Sequence, residues 1–129
     1  MDLTLQRPGD HLYIRAVSGQ GIQIGEHWYL TSLILSADRL IPDWSLDRVE
    51  NYHAALLEPI FNLGPDVVLL GTGTSQHFLP PEFMMEFYQR GVGVEVMSTD
   101  AACRTFNVLV SEGRRVVAAL MQSRANPSP

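Results

Sequence analysis

The sequence predicts a single layered α/β domain over residues 1–122, a β+α/β/α arrangement with a mostly parallel central sheet and an N-terminal antiparallel β-meander. Three observations predict it. The first 44 residues carry short runs rich in Ile, Val, Tyr and Trp divided by glycine turns. From Ser45 the apolar spacing changes to that of a helix. Beyond it, apolar strand-like runs alternate with helical segments in the order helix, strand, helix, strand, helix, strand.

The meander is read from His11 to Val17, Ile22 to Gly25 and Trp28 to Ser36, with Ser18-Gly19-Gln20-Gly21 and Gly25-Glu26 as hairpin turns. Ile22 and Ile24 alternate with Gln23, as in a strand with one covered face. Ala37-Asp38-Arg39 breaks the chain before Leu40 to Trp44. Leu46, Val49, Tyr52, His53, Leu56 and Leu57 then fall on one helical arc, with Ser45 as N-cap and Pro59 as stop. Asp66 to Leu70 and Val116 to Met121 are continuous apolar runs, the pattern of strands covered on both faces, and Val92 to Met97 is the strand between them. Pro80-Pro81 suits a first helical turn, Phe83, Met84, Phe87 and Tyr88 form one stripe, and Gly91 suits the C′ position. In the last helix Ala102, Cys103, Phe106, Leu109 and Val110 line one face and Gly113 closes it. Residues 123–129, with Ser, Asn and two prolines, read as a disordered tail.

Composition removes several function classes. With 14 acidic residues against 9 basic ones and a net charge of −5, the chain lacks the positive surface that nucleic-acid binding requires. All its cations are arginines, which excludes Schiff-base lysine chemistry and the phosphate-gripping lysine of a P-loop. One cysteine makes no internal disulfide, and His11, His27, His53 and His77 with Cys103 do not form a zinc-binding spacing. No metal or cofactor is expected. No stretch has the apolar length of a membrane span, and the first ten residues carry no signal-peptide pattern, so the expectation is a cytoplasmic protein without membrane insertion.

The residues able to carry chemistry gather at one predicted sheet edge. Gly71-Thr72-Gly73-Thr74-Ser75 follows a buried strand directly and is either a tight turn or an anion nest, although Gln76 stands where a dinucleotide fingerprint has its third glycine. Ser98-Thr99-Asp100 opens the last helix, with Thr99 as N-cap and Ser98 as its substitute, and its free amides suit either capping or an anion. Cys103 lies near that helix start, where a dipole lowers a thiol pKa, with Arg104 and Asn107 on the same rim and His77 as the available base. It also lies at the edge of the apolar stripe, the position of a packing thiol. Glu95 interrupts three valines and is either a buried carboxylate partnered by Arg114 or Arg115, or part of an exposed face.

These segments, Leu69-Leu70-Gly71-Thr72-Gly73, Gly91 to Met97, Thr99 to Asn107 and Glu112 to Val116, resemble the small-protein family that includes mitochondrial complex I assembly factor 3 and its bacterial and archaeal relatives. The resemblance runs from Asp66 to Leu120 and more loosely through Trp28 to Trp44. It implies a layered α/β fold, no established catalytic activity, and protein partners such as respiratory complex I subunits or another assembly factor. No transit-peptide pattern is read in the first residues, so such a role is expected in a bacterial-type cell. The expected function is a non-catalytic interaction factor assisting complex I assembly, with a homo-oligomer left open. The alternative is a small-molecule binder or enzyme using a pocket between the Gly71–Ser75 loop and the Thr99–Asn107 helix start.

Overall fold

The computed structural model describes residues 11–47, 49–74 and 78–122. The predicted tail at 123–129 therefore lies outside the described residues. A small antiparallel sheet comes first, formed by β1 (Ile14–Ser18), β2 (Gly21–Ile24) and β3 (His27–Tyr29) in that order. Both predicted hairpin turns are present, the second with Gly25 at φ 62°, a left-handed conformation that costs glycine nothing.

The third predicted strand does not stay in this sheet. The run Trp28 to Ser36 breaks at Leu30 to Ser32 and continues as β4 (Leu33–Leu35) in a second sheet. The physical reason is burial: Leu33, Ile34 and Leu35 are all buried, so they need cover on both faces, whereas Trp28 on β3 is 42% exposed. The second sheet holds five strands in the order β5 (Leu40–Ile41), β4, β8 (Val116–Leu120), β6 (Val67–Gly71) and β7 (Gly93–Met97). Strand β6 is parallel to both β7 and β8, but β4 is antiparallel to β8 and to β5. The sheet is thus mixed, which corrects the expected mostly parallel sheet. The expected parallel pairing of the strands near 66–71 and 92–97 is present, Val67 facing Gly93 and Gly71 facing Met97.

The single helix expected from Ser45 is also replaced. Val49–Asn51 and Ala54–Leu57 form short 3-10 segments, and α1 covers Glu58–Phe61. His53 between the two segments is extended, and Pro59 sits in the first turn of α1, where its missing N–H leaves no bond unmade. Pro59 starts a helix instead of ending one. Helices α2 (Pro81–Gln89) and α3 (Thr99–Ser111) run as expected, with Gly91 and Gly113 at positive φ just past their ends.

The five-stranded sheet separates two apolar layers. Leu69, Val116, Ala118 and Leu120 pack with Ala102, Cys103, Phe106 and Val110 of α3, and this layer extends to Ile14, Ile22 and Ile24 of the small sheet. Val68, Leu70, Val117 and Ala119 pack on the other face with Phe83 and Phe87 of α2, Ile60 of α1, and Trp44, Leu46 and Leu57. Alternation along β6 and β8 assigns each residue to its layer.

Candidate functional site

Because β6, β7 and β8 are parallel, their carboxyl ends converge, and the predicted loop and helix start meet there as expected from topology. What joins them is Thr99. Its hydroxyl donates to the Met121 carbonyl at 2.8 Å and accepts from the Gly73 N–H at 2.8 Å, so one side chain ties the ends of β6 and β8 to α3. Thr99 is 7% exposed. The backbone continues the link: the Thr99 N–H donates to the Gly73 carbonyl, the Thr72 N–H to the Met97 carbonyl, and the Met121 N–H to the Gly71 carbonyl. Thr72 Oγ1 also donates to the Met97 carbonyl at 3.2 Å, while Thr74 is exposed.

Two readings change as a result. The N-cap of α3 is Ser98, whose Oγ accepts from the Ala101 N–H, and Thr99 is the first helical residue. A cap needs extended backbone, which Ser98 has, while burial of the next side chain turns Thr99 to the strand ends. Gly71 serves a close approach: a Cβ there would lie 2.7 Å from Thr99 Cα and 2.9 Å from its Oγ1. The amides of Thr72, Gly73, Thr99, Ala101 and Ala102 all donate to protein acceptors.

The remaining candidates face different ways. Asp100 and Arg104 form an exposed ion pair one helical turn apart at 2.9 Å. Asn107 points to β1, accepting from the Ile14 N–H and donating to the Ile14 carbonyl, both at 2.8 Å. Arg104 and Asn107 do not share a rim. Cys103 is 2% exposed, and burial, with a smaller contribution from Asp100 partly opposed by Arg104, pushes its thiol from 9.0 up to about 12. That is the opposite of the shift that activates a nucleophile. His77 lies outside the described residues. Glu95 is exposed on the outermost strand, and Arg115 pairs at 3.5 Å with Asp66 instead. The buried-carboxylate alternative for Glu95 is thereby removed.

Among the described residues, no group of three or more His, Cys, Asp or Glu side chains is arranged to hold a metal ion, and no helix is long and apolar enough to cross a membrane. Exposed apolar side chains are more prominent. Phe78, Met84, Met85 and Tyr88 stand out of the surface around α2, and Tyr13, Trp28 and Leu30 out of the small sheet and its exit. The stripe read as one packing face divides, Phe83 and Phe87 inward, Met84 and Tyr88 outward. The sequence pattern groups all four in one stripe. The signal that divides them is that Met84 and Tyr88 sit about 100° from Phe83 and Phe87 around a helix.

Comparison with known proteins extends this picture. A crystal structure of a Bordetella parapertussis protein superposes with a TM-score of 0.83 at 34% identity, over 91% of this chain and 100% of that one. The 13 kDa major membrane protein of Francisella tularensis is 34% identical over 96 residues, 74% of this chain and 76% of its own length. The human NADH dehydrogenase [ubiquinone] 1 alpha subcomplex assembly factor 3 is 42% identical over 112 residues, 85% of this chain. This chain spans 60% of the length of that human relative. From Ile14 to Met121, first strand to the last residue of the Thr99 junction, the chain matches the model of the protein family of unknown function DUF498/DUF598, and it is a member of that family.

Proposed function

We propose that this protein is a non-catalytic interaction factor that acts in the cytoplasm and assists the assembly of respiratory complex I. The observation that carries the reading is its 42% identity over 112 residues to the human protein whose name is that of an assembly factor for NADH dehydrogenase. The mouse protein of the same name, 30% identical over 112 residues, supports it as well. The geometry is consistent with a binding surface rather than a reaction centre. Five of the loop and helix amides, those of Thr72, Gly73, Thr99, Ala101 and Ala102, already donate to protein acceptors, and the cysteine is buried with its pKa raised. Apolar side chains stand exposed around α2, the usual mark of a surface meant to be covered. Its partners in this reading are complex I subunits or a second assembly factor.

Deleting the gene tests the proposal. Assembled complex I, measured by native gel and NADH oxidation in membranes, falls while transcripts of its subunits stay level. Normal complex I in the deletion strain overturns the reading.

A further inference from the structure

We propose that the outer edge of β7, together with the flank of α2 above it, receives an extended segment of a protein partner as an added strand, and that this segment carries basic side chains opposite Glu95. The inference deepens the assembly reading by naming the surface and the chemistry of its partner, and it rests on that reading only for the partner's cellular role.

Strand β7 ends the sheet, and among the described residues nothing pairs with its outer side. The Gly93 N–H donates to the Asp66 carbonyl and the Met97 carbonyl accepts from the Thr72 N–H, so Gly93, Glu95 and Met97 bond to β6. In a parallel ladder the intervening residues, Val94 and Val96, then turn both N–H and C=O outward. The pairing with β6 is regular from Gly93 to Met97, with no bulge, and the strand contains no proline, so two usual protections of an edge are missing.

Above this edge lies apolar surface. On α2, Phe83 and Phe87 face the sheet. Arg90 lies over the Phe61 ring at 4.3 Å, and the Glu86 and Glu82 carboxylates add to burial in raising the Tyr52 phenol, so these side chains turn toward the α1 side. At about 100° per residue, Met84 and Tyr88 occupy the opposite flank of α2, and since α2 packs on β7 we place that flank over the open edge. They are 39% and 80% exposed. Glu95 projects from the other face of β7, exposed.

Glu95 also chooses the occupant. In a second copy paired antiparallel through Val94 and Val96, the two Glu95 side chains would stand directly opposite each other, a like-charge contact that destabilises a strand pair. A segment with apolar residues toward Met84 and Tyr88 and arginine or lysine toward Glu95 satisfies both faces.

The test is an NMR titration of the full chain with a nine-residue peptide alternating valine and arginine, against one alternating valine and glutamate. Shifts confined to residues 84–88 and 94–97 with the basic peptide are expected. Val94→Pro removes an outward N–H without touching the β6 ladder and should weaken binding about fivefold to tenfold. Glu95→Arg, on an exposed position that leaves the fold intact, should reverse the preference between the peptides. No shift, shifts elsewhere, or binding indifferent to both variants overturns the proposal, as does a concentration-dependent dimer that Val94→Pro abolishes. A deletion strain with normal complex I would remove the assembly reading and leave the peptide result standing. Failed peptide binding with lost complex I would do the reverse.

Discussion

At the scale of single residues, the helix-start segment from Thr99 to Asn107 distributes its side chains among three environments, and helical spacing decides which. Thr99 and Cys103 fall one turn apart and face the sheet, Asp100 and Arg104 fall one turn apart and face solvent, and Asn107 reaches β1. Cys103 illustrates the energetic consequence. Its folded pKa of about 12 exceeds its ordinary value of 9.0 because the thiolate would be formed in an apolar layer beside Asp100. The group therefore stabilises the fold fully below pH 9, where folded and unfolded chains both hold the proton. As pH rises from 9 toward 12 the unfolded chain loses its proton first, and stability falls by about 1.4 kcal/mol per pH unit. Tyr29 and Tyr52, also raised by burial, add to the fall with the same sign. Denaturation across pH 8 to 11 should show stability falling, and Cys103→Ala should make the fall shallower while costing about 1 kcal/mol at neutral pH. A thiol reagent should label Cys103 slowly at pH 7.5, at a rate that follows unfolding and not a thiolate inflection.

Between elements, a few polar side chains do what apolar layers cannot, which is to fix register. The two hydrogen bonds from Asn107 hold Ile14, next to the irregular step between Ile14 and Ala16 where β1 loses its regular pairing with β2. Gln122 does the same at the other end: its Nε2 donates to the Tyr29 and Thr31 carbonyls and its N–H to Ser32 Oγ, fastening the crossing from β3 to β4. Asn107→Ala should strand a partly buried donor and acceptor and cost about 1–3 kcal/mol. Amide exchange should accelerate in β1 to β3 while β6 and β8 keep their protection; uniform acceleration would mean that the small sheet has no separate attachment. Sequence reading placed Asn107 on a ligand rim because local spacing is visible in a chain and a partner 93 residues away is not. Patterns confined to one element were legible, as in α3, whose apolar face and closing Gly113 were read correctly. The run from Trp28 to Ser36 reads as one strand, yet its halves differ in kind, Trp28 on an exposed strand and Leu33 to Leu35 a continuous apolar triplet. Glu95 between valines likewise signals an edge strand, unlike the unbroken runs of β6 and β8.

For the molecule as a whole, the decisive feature is that three strands, β4, β6 and β8, place buried residues in both apolar layers. Leu69 and Leu70 are adjacent in β6 yet belong to opposite layers, and Ala118 and Ala119 repeat the arrangement in β8. Neither layer can come apart without withdrawing the backbone on which the other is mounted. This makes unfolding of the sheet and both layers a single transition, the expected behaviour of a domain this size. The two tryptophans allow a direct check, since Trp44 is buried in the α2 layer and Trp28 lies half-exposed on the small sheet. In a Trp28→Phe background, fluorescence reports the α2 layer alone. Phe106→Ala opens a cavity in the α3 layer, across the sheet from that probe, and should cost about 3–5 kcal/mol. The Trp44 transition in urea should then move to lower concentration by the same amount as the circular dichroism transition, with unchanged slope. If the Trp44 midpoint stays in place while the dichroism midpoint falls, the layers unfold independently, and the shared-strand account of cooperativity is wrong.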